Sequence, residues 1–197
     1  MPRKLEPKDL EVWEDGVSQK LLYFGRDQLP LSVVVLFDLT QSDRRVLHRM
    51  AADAQTALDH LKPEDEAAVM VYAAGTRLID GFTGNYRRTA AALSRVASMK
   101  SDDAAFFNEA MYQVAAELEE SAKPSSRHVI VWLTDNLPNY PTSRHLQEQA
   151  KGLFGATPHT EAEAIRKLHE SGTVVMPLLL KDRLWGIRPD NALRGGC

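Results

Sequence analysis

The stretch that decides the fold is Val33-Val34-Val35-Leu36-Phe37-Asp38-Leu39-Thr40-Gln41-Ser42. Its five consecutive apolar residues run directly into an aspartate, and hydroxyl side chains follow at alternate positions. An apolar run without alternation is typical of a strand that is buried on both faces of a parallel sheet. Open α/β sheets bind their ligands beyond the carboxyl ends of such strands. Asp38, Thr40 and Ser42 therefore mark a candidate site.

The rest of the chain alternates predicted strands with predicted helices. Residues 67–83 have the pattern of two strands joined by a tight turn, and 129–133 and 173–180 are further apolar strands. Apolar residues spaced by three and four predict helices after Ser42, from Tyr86, from Phe107 and after the capping box that begins at Thr160. We therefore expect an α/β fold with a doubly wound, mostly parallel sheet and helices on both faces.

Two features of these patterns concern the ends of the sheet. Residues 9–24 predict a β-hairpin, because Asp15-Gly16 between extended segments is a strong two-residue turn signal. We expect 1–30 to form this hairpin and a linker, and 31–197 to form the main domain. Pro177 lies inside the last strand and favours an edge or bulge position for it.

Composition, charge and cysteine content limit the kinds of protein that this sequence can encode. The chain has 197 residues, of which 44% are hydrophobic, and a formal net charge of −3, as in a soluble globular protein. This balance gives no electrostatic argument for nucleic acid, and no apolar run is long enough to span a bilayer. The single cysteine, Cys197, excludes a disulfide framework and a cysteine-based zinc site. The beginning of the sequence lacks a signal peptide, which predicts a cytoplasmic chain unless it is a fragment of an exported precursor.

The residues at the strand ends allow two interpretations. Asp38, Thr40, Ser42 and Asp135, the last of which follows the strand at 129–133, carry the hard oxygen ligands that Mg²⁺ or Mn²⁺ prefers. Alternatively, Ser42 caps the next helix, and Asp38 and Asp135 are solvated residues at strand ends. The spacing alone leaves both open.

An enzymatic alternative starts from the same aspartate. An aspartate after an apolar strand also occurs in the haloacid-dehalogenase-like phosphatases, whose aspartate forms a phosphoryl intermediate. Asp38 would be that nucleophile here. Those enzymes also need a glycine after the threonine, where this chain has Gln41, and a lysine at a later strand end.

The order of these elements resembles the von Willebrand factor A (VWA) domain. The resemblance rests on an apolar strand ending in D-x-[ST]-x-S, the helices and strand pair that follow, and a strand ending in Thr134-Asp135. The segment from Leu5 to Gly16, together with Pro30-Leu31-Ser32-Val33, is similar to the hairpin and linker of the bacterial VWFA-related subfamily first described from acidobacteria. The resemblance covers about residues 5–180.

This resemblance implies a metal-ion-dependent adhesion site in a domain that binds and does not catalyse. Asp38, Thr40 and Ser42 would come from its first loop, and Asp135, held through water, from its third. The cation would be Mg²⁺ or Mn²⁺, and a carboxylate of a protein partner would take the remaining coordination position.

The sequence departs from the family pattern at several positions. Thr40 replaces a serine and keeps the hydroxyl, whereas Gln41 and Asn136 stand where glycines are common. Ala105 stands where the second loop should offer a threonine ligand, which implies a partial site. The family's last helix and strand are also absent, so the domain is expected to be truncated at its C-terminal end.

Overall fold

The computed structural model describes residues 6–21, 29–40, 47–99, 106–134 and 158–179. Its strands are β1 (Val12–Glu14), β2 (Val17–Gln19), β3 (Leu31–Asp38), β4 (Glu66–Tyr72), β5 (Thr76–Thr83), β6 (Arg127–Thr134) and β7 (Val174–Leu179). Its helices are α1 (Leu47–Leu58), α2 (Tyr86–Ala97), α3 (Phe107–Ser121) and α4 (Glu161–Glu170). These bounds confirm the strands and helices predicted for the described ranges. The sequence also predicts a loop with a short helix near residues 143–150, and this segment lies outside the described ranges.

Five of the strands form one sheet in the order β5-β4-β3-β6-β7. β3 pairs in parallel with β4 and β6, β6 pairs in parallel with β7, and β5 runs antiparallel to β4. The fold is therefore the predicted mostly parallel α/β sheet. Pro177 lies in β7 at the edge of this sheet, as expected for a residue that cannot donate a backbone hydrogen bond.

The central strand β3 is buried on both faces, which explains its unbroken apolar run. Val33, Val35 and Phe37 pack with α1 and α2 on one face of the sheet. Val34 and Leu36 pack with α3 on the other face, where Ala164 of α4 joins the same core. Since a strand turns successive side chains to opposite faces, only such a run can fill two cores at once. On β7, by contrast, one row remains about half exposed, namely Val174, Met176 and Leu178.

The predicted hairpin is formed by β1 and β2, which pair antiparallel around the turn at Asp15 and Gly16. Both turn residues have positive φ, 50° at Asp15 and 79° at Gly16. This is the conformation that a two-residue hairpin turn of this kind requires and that Asp-Gly adopts most readily. The division into a hairpin unit and a main domain stays a prediction.

The first turn of α4 has the capping box that the sequence predicts. The Thr160 side chain accepts a hydrogen bond from the Glu163 backbone N–H, and the Glu163 carboxylate accepts one from the Thr160 N–H. Across the described ranges, no helix is both long and apolar enough to cross a membrane.

Candidate functional site

The candidate site lies at the carboxyl edge of the sheet, where β3, β4 and β6 end side by side. The parallel register pairs Asp38 with Tyr72, and Phe37 with Leu133. Thr134, the next residue of β6, therefore comes level with Asp38. The strand ends thus bring a carboxylate, a phenol and a hydroxyl together on one face of the sheet.

Asp38 is buried and accepts three hydrogen bonds. Its Oδ2 accepts from the Tyr72 hydroxyl at 2.7 Å and from the Thr134 hydroxyl at 3.2 Å. Its Oδ1 accepts from the Thr40 backbone N–H at 2.9 Å. Only 1% of Asp38 is exposed. The interpretation of Asp38 as a solvated strand-end residue is therefore wrong, because the strand ends and the start of the loop enclose its carboxylate.

Tyr72 is itself held in one orientation. Its hydroxyl oxygen accepts a hydrogen bond from the indole N–H of Trp132 at 3.0 Å, so its own hydrogen is directed at Asp38. Burial raises the pKa of Tyr72 far above its usual value, and the negative charge and hydrogen bond of Asp38 raise it further. The phenol therefore keeps its proton at neutral pH and donates it to Asp38.

Thr40 is the second predicted ligand that the structure describes. Only 4% of Thr40 is exposed. Its backbone N–H donates a hydrogen bond to the carboxylate of Asp38, two residues earlier in the chain. The preceding residue, Leu39, donates its N–H to the carbonyl of Tyr72. The segment leaving β3 is therefore fixed to the end of β4, and Thr40 lies beside the Asp38 carboxylate.

A backbone hydrogen bond joins the residue before α3 to the same edge of the sheet. Phe106, which precedes α3, donates its N–H to the carbonyl of Ala73, just after β4. The ring of Phe107 stacks on Trp132 with centroids 4.4 Å apart. The beginning of α3 is thus packed against the residues that hold Asp38.

A second polar cluster joins α3 to the segment before α4. Glu109 is buried and accepts hydrogen bonds from the His159 backbone N–H, the His159 ring and Gln113. The His159 ring also stacks on Tyr112. Burial alone would raise the pKa of Glu109, but the hydrogen bonds from His159 and Gln113 outweigh it and lower that pKa below its usual value.

The other two predicted ligands lie outside the described residues. These are Ser42 and Asp135, and their placement around Asp38 and Thr40 stays a prediction. Ala105, which stands where a threonine ligand was expected, also lies outside the described residues. In the described ranges, no group of three or more histidine, cysteine, aspartate or glutamate side chains is placed to hold a metal ion. The two described candidates offer carboxylate and hydroxyl oxygens, which fit Mg²⁺ or Mn²⁺ in chemical type.

Sequence reasoning missed Tyr72, Thr134 and the polar role of Trp132. Tyr72 and Trp132 lie in apolar runs and were interpreted as core residues, and Thr134 was considered only as part of the strand ending Thr134-Asp135. A signal was nevertheless present, because Tyr72 and Thr134 lie at or next to the ends of predicted apolar strands, and the structure places both strands beside β3. Aligning the three strand ends would have placed both hydroxyls beside Asp38.

The burial of Asp38 bears on the phosphatase alternative and on the metal site alike, since either role requires a ligand to reach its carboxylate. The described residues add no observation that favours the phosphatase alternative.

The sheet order, the helices on both faces and the strand-end site together define a VWA-like α/β fold. Among solved structures, the chain is similar to the conserved hypothetical protein BatB from Bacteroides thetaiotaomicron, with 17% identity and a TM-score of 0.55 over 76% of this chain and 66% of that one. It is similar to a von Willebrand factor type A protein from Catenulispora acidiphila, with 18% identity and a TM-score of 0.53 over 76% of this chain and 33% of that one.

A third similar structure is the pilus adhesin SpaC from Lactobacillus rhamnosus GG, in an open conformation. Here the identity is 14% and the TM-score 0.55, over 81% of this chain and 25% of that one. The chain thus spans less than two thirds of each of these proteins. At such identities the likeness establishes the fold alone. No protein-family model matches the sequence. No curated protein matches it either.

Proposed function

We propose that this chain is a non-enzymatic, protein-binding VWA domain that uses the carboxyl edge of its sheet as a partial metal-ion-dependent adhesion site. Asp38, Thr40, Ser42 and Asp135 would hold a Mg²⁺ or Mn²⁺ ion. The bound ion would offer a coordination position to an acidic side chain of a protein partner.

The observation that carries this proposal is the placement of Asp38 and Thr40. The carboxylate lies at the end of the central strand, and Thr40, which would supply the second oxygen ligand, is held beside it by the 2.9 Å hydrogen bond from its backbone N–H to Oδ1. Both residues are buried, so the side chains have few alternative orientations. A carboxylate and a hydroxyl held at this edge of an α/β sheet are oxygen ligands of the kind that would suit a small divalent cation.

We also propose that the chain belongs to the bacterial VWFA-related subfamily. The hairpin turn at Asp15 and Gly16, in the position that the subfamily motif requires, supports this assignment.

The first test is calorimetric titration of Mg²⁺ and Mn²⁺ into the metal-free chain, together with its melting temperature in millimolar metal. Binding to the folded state should raise the melting temperature, since a ligand of the native state stabilises it by mass action. Thr40→Val is the informative variant, because it removes one hydroxyl oxygen and keeps the side-chain shape. We expect weaker binding in this variant, and no heat in the wild type would contradict the metal site.

The second test concerns the partner and uses acetate as the simplest carboxylate. Bound Mn²⁺ shortens the relaxation time of water protons as long as water occupies its open positions. Acetate that enters one of these positions should reduce this effect, whereas chloride at the same ionic strength should not. Equal effects of the two anions would contradict carboxylate recognition.

A further inference from the structure

The hydroxyl of Tyr72 is the central element of a directed hydrogen-bond chain that ends at the proposed metal ligand. An indole N–H can only donate, so Trp132 imposes the acceptor role on the Tyr72 oxygen. The single hydroxyl hydrogen of Tyr72 is then donated to Asp38 at 2.7 Å. The hydrogen bonds therefore run in one direction, from Trp132 to Tyr72 and from Tyr72 to Asp38.

This series of hydrogen bonds determines which carboxylate oxygen of Asp38 is engaged by the neighbouring strand ends. An ionised carboxylate has two acceptor directions on each oxygen. The hydroxyls of Tyr72 and Thr134 take the two directions of Oδ2. Among the described residues, Oδ1 accepts only the Thr40 N–H, so none of them takes its second acceptor direction.

Aromatic packing fixes the orientation of Trp132 and Tyr72 in this hydrogen-bond series. Phe107, the first residue of α3, stacks on Trp132 at 4.4 Å and lies 6.5 Å from the ring of Tyr72. Tyr72 is 2% exposed. Its phenol thus cannot turn away from Asp38 unless α3 separates from the sheet.

We infer that Tyr72, oriented by Trp132, is a positioning residue of the proposed metal site: it turns Oδ2 of Asp38 into the sheet and presents Oδ1 to the cation. This inference rests on the proposed function. The physical reason is that a hydrogen bond to the outer side of a ligand fixes its orientation before the ion arrives. Loss of such a partner typically weakens metal binding by 10–100-fold.

The test compares Tyr72→Phe with the matched control Tyr86→Phe. Tyr86 donates its hydroxyl to the carbonyls of Lys62 and Asp65, which precede β4 at the opposite edge of the sheet. Each variant removes one phenolic hydroxyl, so both should unfold at lower denaturant concentration. We expect only Tyr72→Phe to weaken Mn²⁺ binding in calorimetric titration, by about tenfold or more.

Trp132→Phe is the second variant, and it tests the same inference if Tyr72→Phe does not fold. It keeps an aromatic ring against Phe107 and removes the N–H that orients Tyr72, so we expect a smaller loss of Mn²⁺ affinity.

Each outcome decides a different point. Mn²⁺ affinity in Tyr72→Phe equal to that of the wild type would show that the hydroxyl is merely structural and would overturn the inference. Tighter binding in this variant would also overturn it, since the phenol would then compete with the ion. A wild type that takes up no metal would contradict the proposed function itself.

Discussion

The hydroxyl of Tyr72 donates to Oδ2 of Asp38 at 2.7 Å, between residues that end adjacent parallel strands 34 positions apart in the chain. This bond joins the end of β4 to the end of β3, and Thr134 adds the end of β6. The candidate metal ligand is therefore also a structural link between three strands.

Asp38→Ala should accordingly destabilise the fold. The change removes the acceptor of three hydrogen bonds and leaves the Tyr72 and Thr134 hydroxyls buried without it. Buried donors that lose their partner cost about 1–3 kcal/mol each, so we expect a loss of about 3 kcal/mol in the free energy of unfolding. Urea denaturation in metal chelator measures it. The control is Asp53→Ala, whose carboxylate is exposed on α1 and should matter by less than about 0.5 kcal/mol. Equal losses in the two variants would contradict the link.

Acid should weaken the connection between α3 and the segment before α4. The pKa of Glu109 is lower in the folded chain than its usual value of 4.5. A depressed carboxyl pKa stabilises the fold above the unfolded-state pKa, and this contribution is lost as the pH falls through the folded-state pKa. We expect the melting temperature of the wild type to fall more steeply below about pH 4.5 than that of Glu109→Gln. The control Glu120→Gln changes an exposed carboxylate of the same helix and should leave the wild-type slope.

Thr160→Ala should destabilise α4 by about 1 kcal/mol, the usual effect of removing an N-terminal cap. The hydroxyl accepts the Glu163 N–H, and the variant leaves that group without its partner. Thr160→Ser keeps a capping hydroxyl and should retain most of the stability. Both are compared by chemical denaturation. A Ser variant as unstable as the Ala variant would show that the capping bond is not the cause.

Thr89→Val should leave stability unchanged or raise it by up to about 1 kcal/mol. Thr89 is fully buried in α2, and its hydroxyl has no hydrogen-bond partner in the part of the chain that the structure describes. Valine has the same shape and removes the unpaired polar group. Thr56→Val, at an exposed position of α1, gives the effect of the same exchange in contact with solvent. A clear loss of stability in Thr89→Val alone would show that the hydroxyl has a hydrogen-bond partner and would contradict this prediction.

The fold was predictable because its signals are local. The apolar run of β3, the Asp-Gly turn of the hairpin and the capping box at Thr160 each depend on residues close in sequence, and all three form as expected. Pro177 likewise indicated the edge position of β7. These patterns also predict the sequence of strands and helices along the chain, from which a VWA-like fold was expected.

The candidate site was predictable only in part. The positions of Asp38 and Thr40 followed from the end of an apolar strand. The bonds that bury Asp38 depend on the register between β3, β4 and β6, and no single strand carries that information. The arrangement of Ser42 and Asp135 stays a prediction, as does the effect of Ala105.

The central claim is that Asp38, Thr40 and their neighbours hold a divalent cation, and the most direct test is electron paramagnetic resonance of added Mn²⁺. The signal of free aqueous Mn²⁺ should decrease until about one ion is bound per chain, as a single site of hard oxygen ligands requires. Thr40→Val and Ser42→Ala should restore most of the free signal while circular dichroism shows an intact fold. A wild-type chain that leaves the free-ion signal undiminished up to millimolar Mn²⁺ would contradict the account.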